Sequence, residues 1–233
     1  MNISETSGKV VESRVAGRVV RFFVANPKDE IQRHHAAGIF YEAEQLEAMA
    51  KFVDPQRVFL DIGANVGNHT LYASLILGVA KVVPFEVDPG ASAILSINVA
   101  LNRCASVDTA YLGFGVASVD GPLAVSIRYA DNLGGTQFAR AATGAFTAIR
   151  PDGVVAHLPV GFVKIDVEGM EMEALSGLRE TLSRWRPAMF IEIEDRRAAE
   201  FEEWMRSFDY RIETTFIRYA GKKEFLLIPP TRK

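Results

Sequence analysis

The 233 residues carry 26 basic and 29 acidic side chains, a formal charge of −3, which gives no strong electrostatic hold on nucleic acid. A chain this long buries roughly 70–75% of its unfolded surface without disulfides or a structural metal. Its one cysteine, Cys104, has no internal partner and no Cys/His cluster has zinc-finger spacing, so a reducing, cytoplasmic setting is expected.

The longest apolar stretches, such as 71–80, fall far short of the roughly 20 residues of a membrane span. No basic-then-apolar leader pattern opens the chain. Residues 10–11, 15 and 19–24 are rich in β-branched side chains around Ala16-Gly17-Arg18, which predicts a β-hairpin. We therefore expect a hairpin extension over residues 1–40 and a main domain over 41–233. From Glu44 onward Leu46, Met49, Ala50 and Val53 recur at helical spacing until Asp54-Pro55 ends the segment.

Short apolar strands then alternate with helical stretches: strands at 58–61, 82–86 and 107–112, helices at 70–77 and 93–101. That alternation implies βαβ crossovers and a parallel sheet. A strand at 123–127 follows the turn Asp120-Gly121-Pro122 with no helix between, as in a hairpin insertion. Residues 131–161 show no sustained period and read as loop with some short structure. The pattern resumes with a strand at 162–166, a helix at 171–183, a strand at 188–193 and an amphipathic helix bearing Phe201, Trp204, Met205 and Phe208. Strands at 211–216 and 225–228 flank Ala220-Gly221-Lys222 as a terminal hairpin.

The strongest local signal is the run from Val58 through Asp61-Ile62-Gly63-Ala64-Asn65-Val66-Gly67-Asn68. A buried strand delivers its end into a loop with two glycines, and a helix starts just beyond. Such a loop cradles a ligand, because glycine lets the backbone approach closely and the helix start presents free N–H groups. The glycines lie four apart and no Gly-Lys-Ser/Thr follows, so neither a dinucleotide fingerprint nor a Walker A loop is present. Asp61 suits an amino or hydroxyl donor better than a phosphate, which it would repel. Phe85-Glu86-Val87-Asp88-Pro89 lies about 20 residues on, where nucleoside-binding α/β folds place an acid on the ribose hydroxyls.

These residues resemble a known family. The run 61–70, Lys164-Ile165-Asp166-Val167-Glu168-Gly169 and Phe190-Ile191-Glu192-Ile193 are similar to the FkbM family of S-adenosylmethionine-dependent methyltransferases. The resemblance implies an α/β, Rossmann-like class I methyltransferase fold. Its mostly parallel seven-stranded sheet would have helices on both faces and one antiparallel strand at the end. It implies S-adenosylmethionine as cofactor and O-methyl transfer to a hydroxyl of a sugar, glycolipid or natural product. By that likeness Gly63, Ala64, Asn65, Gly67 and Asn68 line the methionine half of the cofactor and Asp61 sits near its amino group. Glu86, with Val87 beside it, holds the ribose. Tyr41, in Tyr41-Glu42-Ala43-Glu44, either closes over the cofactor or packs on the first helix.

An alcohol with its proton attached is a poor nucleophile, so a base or a metal is required nearby. Asp166, Glu168 and Glu192 stand at or near adjacent strand ends, beyond which open α/β sheets bind their ligands. Either Asp166 or Glu168 takes the proton directly, or Asp166 and Glu192 hold a hard cation such as Mg²⁺ that acidifies the hydroxyl. Lys164, two residues before Asp166, points to the same side of its strand; it is either a structural ion pair or a tuner of the base. Glu171 is best explained as an acid at a helix start. Asn132 and Thr136 in the 131–136 segment are acceptor candidates, although the same Gly-Gly stretch suits any exposed turn. His69 stands beside the cofactor loop. The stretch 148–153 lacks the Leu-Asp pair of the family, and no Asp/Asn-Pro-Pro-aromatic motif of base-methylating enzymes occurs. A non-catalytic, cofactor-binding scaffold and a nicotinamide dehydrogenase are the rival readings, and a homo-oligomer is open.

Overall fold

The computed structural model describes residues 6–129 and 131–229. The N-terminal hairpin forms as expected: β1 (Lys9–Val15) pairs antiparallel with β2 (Arg18–Val24) through Ala16-Gly17. A short helix follows that sequence reasoning missed, α1 (Glu30–Ala36). Its signal was present in Asp29 and Gln32. Asp29 caps the helix by accepting from the Gln32 N–H at 3.1 Å, and Gln32 Oε1 accepts from the N–H groups of Ala25 and Asn26 in the chain leading into it. Helix α2 (Ala43–Ala50) buries Leu46 and Met49.

The main sheet begins with β3 (Val58–Ile62), whose five residues are all buried. Next come α3 (Asn68–Leu71), running on as a π-helical turn over Tyr72–Ile76, then β4 (Lys81–Phe85) and α4 (Pro89–Asn102). The strand expected at 107–112 is a correction. Asp108 caps a 3₁₀ turn over Thr109–Tyr111, so only the bridges Val82–Val107 and Glu86–Leu112 form. With that strand lost the main sheet has six strands rather than seven.

Residues 131–161 are also more ordered than expected. β5 (Phe114–Val116) joins β6 (Gly121–Tyr129), β7 (Asn132–Arg140) and β8 (Phe146–Ile149) in a second sheet of order β5-β8-β6-β7. The inserted hairpin is β6–β7. Its pairing shifts register twice, and such bulges explain why no clean alternation marks the sequence. After α5 (Asp152–Val155) comes β9 (Val160–Ile165), buried throughout.

The helix expected over 171–183 is two, α6 (Glu171–Gly177) and α7 (Arg179–Trp185). At Gly177 a Cβ would fall 2.3 Å from the Ala117 carbonyl oxygen, so the chain turns where backbone meets backbone. β10 (Ala188–Glu194), α8 (Ala198–Phe208), β11 (Arg211–Phe216) and β12 (Lys222–Ile228) complete the fold. The main sheet has the order β11-β12-β10-β9-β3-β4, with β10, β9, β3 and β4 parallel and β12 antiparallel.

Period-two alternation assigns the strand residues to two cores. Leu60, Ile62, Val163, Ile165 and Ile191 face α6, α7 and α8. Phe59, Phe162 and Phe190 face the other way and share a core with Phe22 of the hairpin and Leu46 of α2. Two asparagines of α4 stitch that hairpin down. Asn98 accepts from Phe23 N–H and donates to the Val66 carbonyl, while Asn102 bonds both backbone groups of Arg21. Among the described residues no helix is long and apolar enough to cross a membrane.

Candidate active site

Register builds the centre of the site. Asp61 of β3 lies opposite Lys164 of β9, and Lys164 lies opposite Phe190 of β10. The Lys164 ammonium, 3% exposed, is 3.6 Å from both Asp61 and Asp166 and donates to the Gly63 carbonyl at 2.5 Å. Burial opposes its charge, but Asp166, Asp61, Glu42 and Glu86 outweigh it and hold its pKa above the ordinary value. The ion pair expected of Lys164 is therefore formed, and it also carries the loop backbone. Asp61 is fully buried. Thr70 donates to one of its oxygens at 2.6 Å, and the other has only the lysine. Asp61 lines neither of the two clefts described below and meets the loop through Lys164.

Gly63 (φ 75°) is where the loop needs glycine: a Cβ would lie 1.8 Å from the Asp166 carbonyl oxygen. This close approach joins the loop to the end of β9 and opens a cleft above both. Gly63, Asn65, Glu86, Val87, Asp166 and Glu168 line it, with Thr136 and Phe138 of the inserted hairpin on the opposite wall. It holds about 620 Å³ of empty space, open solvent at its mouth included. Glu86 accepts from the N–H of Asn65 at 2.8 Å and of Asp88 at 2.7 Å. Burial nevertheless lifts its pKa to about 7, against those two bonds. Ala64, Gly67 and Asn68 line neither this cleft nor its neighbour. Asn68 instead clasps both backbone groups of Tyr41 and faces His35 Nε2 at 3.1 Å.

A second cleft, about 930 Å³ with its open mouth, adjoins the first along Asn65, Gly134, Asp166 and Glu168. Tyr41, Glu42, Asn132, Gln137, Glu192, Tyr219 and Lys222 line its other walls. Tyr41 and Asn132 thus face the second cleft, whereas Thr136, expected beside Asn132, faces the first. Glu168 and Glu192 both take the Lys222 ammonium, at 2.6 and 2.8 Å. Burial and the Asp166 charge push Glu168 up to about 7 and Glu192 up to about 8, against the pull of Lys222. Asp166, Glu168 and Glu192 bring one oxygen each within 4.8 Å of one another. Glu171 accepts from Gly169 N–H at 2.5 Å, which fixes the turn that carries Glu168.

Sequence reasoning missed the C-terminal contribution. Arg218 lies 4.5 Å over the Tyr41 ring and pairs with Glu42 and with Glu224. Burial lifts Glu42 to about 7, with Arg218 opposing. His69 lies 3.2 Å from Glu42, and burial, with Lys164 and Arg218 nearby, keeps its imidazole well below its usual pKa and neutral. Single charged residues in a terminal hairpin carry no spacing signal, so only the tertiary pairing of β12 with β10 brings them to the clefts. Glu42 (φ 61°), Asn65 (φ 49°) and Glu168 (φ 40°) all adopt left-handed backbone at these clefts. Strained non-glycine positions of this kind gather at functional sites.

The family model described as the methyltransferase FkbM domain matches residues 61–212, from the buried Asp61 into β11. The chain belongs to the FkbM methyltransferase family. Among solved structures it is similar to the methyltransferase FkbM of Methylobacillus flagellatus KT, at 17% identity and a TM-score of 0.54, covering 84% of this chain and 52% of that one. The chain thus spans about half the length of that relative. It is also similar to M. jannaschii TYW2, solved in complex with AdoMet, at 14% identity and a TM-score of 0.52 over 95% of this chain and 85% of that one. An uncharacterized protein from Listeria monocytogenes serotype 4b matches at 12% identity and a TM-score of 0.54, covering 82% and 70%. At these identities the likeness shows the class I methyltransferase-like α/β fold alone. No curated protein matches.

Membership of the FkbM family makes the protein an S-adenosylmethionine-dependent methyltransferase, and the first cleft suits that donor. Asn65 Oδ1 and Thr136 Oγ1 are buried there without a hydrogen-bond partner, a state that a polar ligand relieves. Around the junction of the clefts six carboxylates (Asp61, Asp166, Glu168, Glu192, Glu42, Glu224) face three cations (Lys164, Lys222, Arg218).

Proposed function

We propose that the protein transfers a methyl group to a hydroxyl of a sugar, glycolipid or natural product, with Glu168 as the base. The observation that carries this reading is the position of Glu168 on the shared wall of both clefts, with a pKa raised to about 7, where a general base works best near neutrality. Glu86 and Val87 would hold the ribose side of S-adenosylmethionine, and Gly63 and Asn65 its methionine side. When bound, that cofactor supplies a methyl carbon on a cationic sulfur, open to in-line attack by oxygen.

This chain's residues do the rest. The second cleft holds the acceptor against Tyr41 and Tyr219 and offers Asn132 and Gln137 as hydrogen-bond partners. Glu168 receives the acceptor's hydroxyl proton, Lys222 fixes the direction of its carboxylate, and Asp166 brings negative charge to the meeting point of the clefts. Lys164 and Asp61 position the loop.

A second reading rests on the same acids. Asp166, Glu168 and Glu192, within 4.8 Å, would hold a hard cation such as Mg²⁺ that acidifies the hydroxyl, if Lys222 moves aside. One assay separates the readings: methyl-labelled S-adenosylmethionine offered with sugars, glycolipids and polyketide alcohols, before and after EDTA dialysis. We expect label on a hydroxyl oxygen, none on the same acceptor with that oxygen already methylated, and turnover unaffected by EDTA. Turnover lost to EDTA and restored by Mg²⁺ selects the second reading. Label on amines alone would overturn both.

A further inference from the structure

The inserted strand β7 stands between the two clefts. Side chains of a strand alternate from face to face, and over residues 135–138 the alternation divides the clefts: Thr136 and Phe138 line the first, Gly135 and Gln137 the second, while Gly134 borders both. Two clamps hold the hairpin in place. The buried Asp29 carboxylate accepts from Leu133 N–H at 2.9 Å, and Arg128 pairs with Asp88, the cap of α4, at 2.8 Å.

Within the first cleft the hairpin's residues follow an order. A Cβ at Gly134 would come within 2.8 Å of the Asn65 amide, so this end of β7 adjoins the cofactor loop. Phe138 packs in the apolar cluster of Val87, Leu123 and Met170, the end suited to a flat apolar base. Thr136 lies between them. It is 6% exposed, and its hydroxyl is buried without a partner. Glu86, which accepts from Asn65 N–H and directly precedes Val87, spans the same interval on the opposite wall.

The geometry points to Thr136 as a cofactor-recognising residue, its hydroxyl hydrogen-bonding the adenosyl part of S-adenosylmethionine, while Gln137 on the reverse face serves the acceptor. This rests on the reading of the first cleft as the S-adenosylmethionine site. Thr136 then supplies the wall that the βα loops of the main sheet leave open, and the insertion serves the donor site on one face and the acceptor cleft on the other.

The test is isothermal titration of the full chain with S-adenosylhomocysteine and with 5′-methylthioadenosine, which lacks the amino-acid arm. Loss of one neutral hydrogen bond, worth about 0.5–1.5 kcal/mol, corresponds to roughly 2- to 12-fold weaker binding. Thr136→Val is expected to lose that factor for both ligands, with Thr136→Ser restoring it. The ligand-free melting temperature of Thr136→Val shows that the variant is folded, and Thr136→Ala, which also lacks the hydroxyl, takes its place if it is not. Wild-type affinity in Thr136→Val overturns the inference and leaves the cleft's assignment standing. A loss confined to S-adenosylhomocysteine overturns the adenosyl placement. Failure of folded wild-type protein to bind either ligand overturns the assignment of the cleft, and the inference with it.

Discussion

Replacing Glu168 with Gln is expected to lower kcat by about 10²- to 10⁴-fold, the range for loss of a general base. Affinity for S-adenosylhomocysteine should change only a few-fold, because the amide keeps the shape of the first cleft's wall. The pH profile sharpens the expectation. Burial first, and the Asp166 charge second, lift the Glu168 pKa to about 7, so the base is protonated and idle below that pH. The wild-type rate should therefore rise as pH passes through about 7, and the rise should be missing from Glu168→Gln. A variant that keeps more than a tenth of the rate and the same pH limb would remove Glu168 from the chemistry. A non-catalytic, cofactor-binding scaffold would show no turnover in either form.

Lys164→Met is expected to have the largest effect on stability. Asp61 is fully buried, and among the described residues its charge is met, apart from Thr70, only by Lys164. Removing one partner of a buried ion pair costs about 3–5 kcal/mol, because the other is left uncompensated. The variant also leaves the Gly63 carbonyl without its donor. For a chain of this size each kcal/mol moves Tm by about 2–4 °C, so a fall of roughly 6–20 °C is expected. Asp61→Leu combined with Lys164→Met should recover much of it, since paired apolar replacements of buried ions are often neutral. A single variant that melts with wild type, or a double variant that melts lowest of all, would contradict the pairing.

What was legible in the sequence follows from where its signals lie. Strands β3, β9 and β10 were readable because both their faces are buried, leaving short apolar runs ended by the glycine loop or by carboxylates. The glycine loop after β3 was readable because its backbone geometry demands particular residues at particular positions. The strand at 107–112 failed because Asp108 offers its side chain to the backbone and tightens it into a 3₁₀ turn, a local competition. Strand β7 failed because bulges broke its alternation. Of the site, Glu86, Val87, Gly63, Asn65, Asp166, Glu168 and Glu192 were named from the sequence and do line the clefts. Lys222 and Arg218 were not, because they reach the site only through the pairing of β12 with β10, a contact between residues far apart in the chain.

The most direct measurement is isothermal titration of S-adenosylhomocysteine into wild-type protein and into Glu86→Ala. Hydrogen bonds to a charged group are worth about 1.5–3 kcal/mol, so loss of the Glu86 carboxylate should weaken binding by roughly 10- to 150-fold if the ribose sits there. Binding by wild type with that loss in the variant is the expected result. Folded wild-type protein that does not bind, or a variant that binds equally well, would contradict the account.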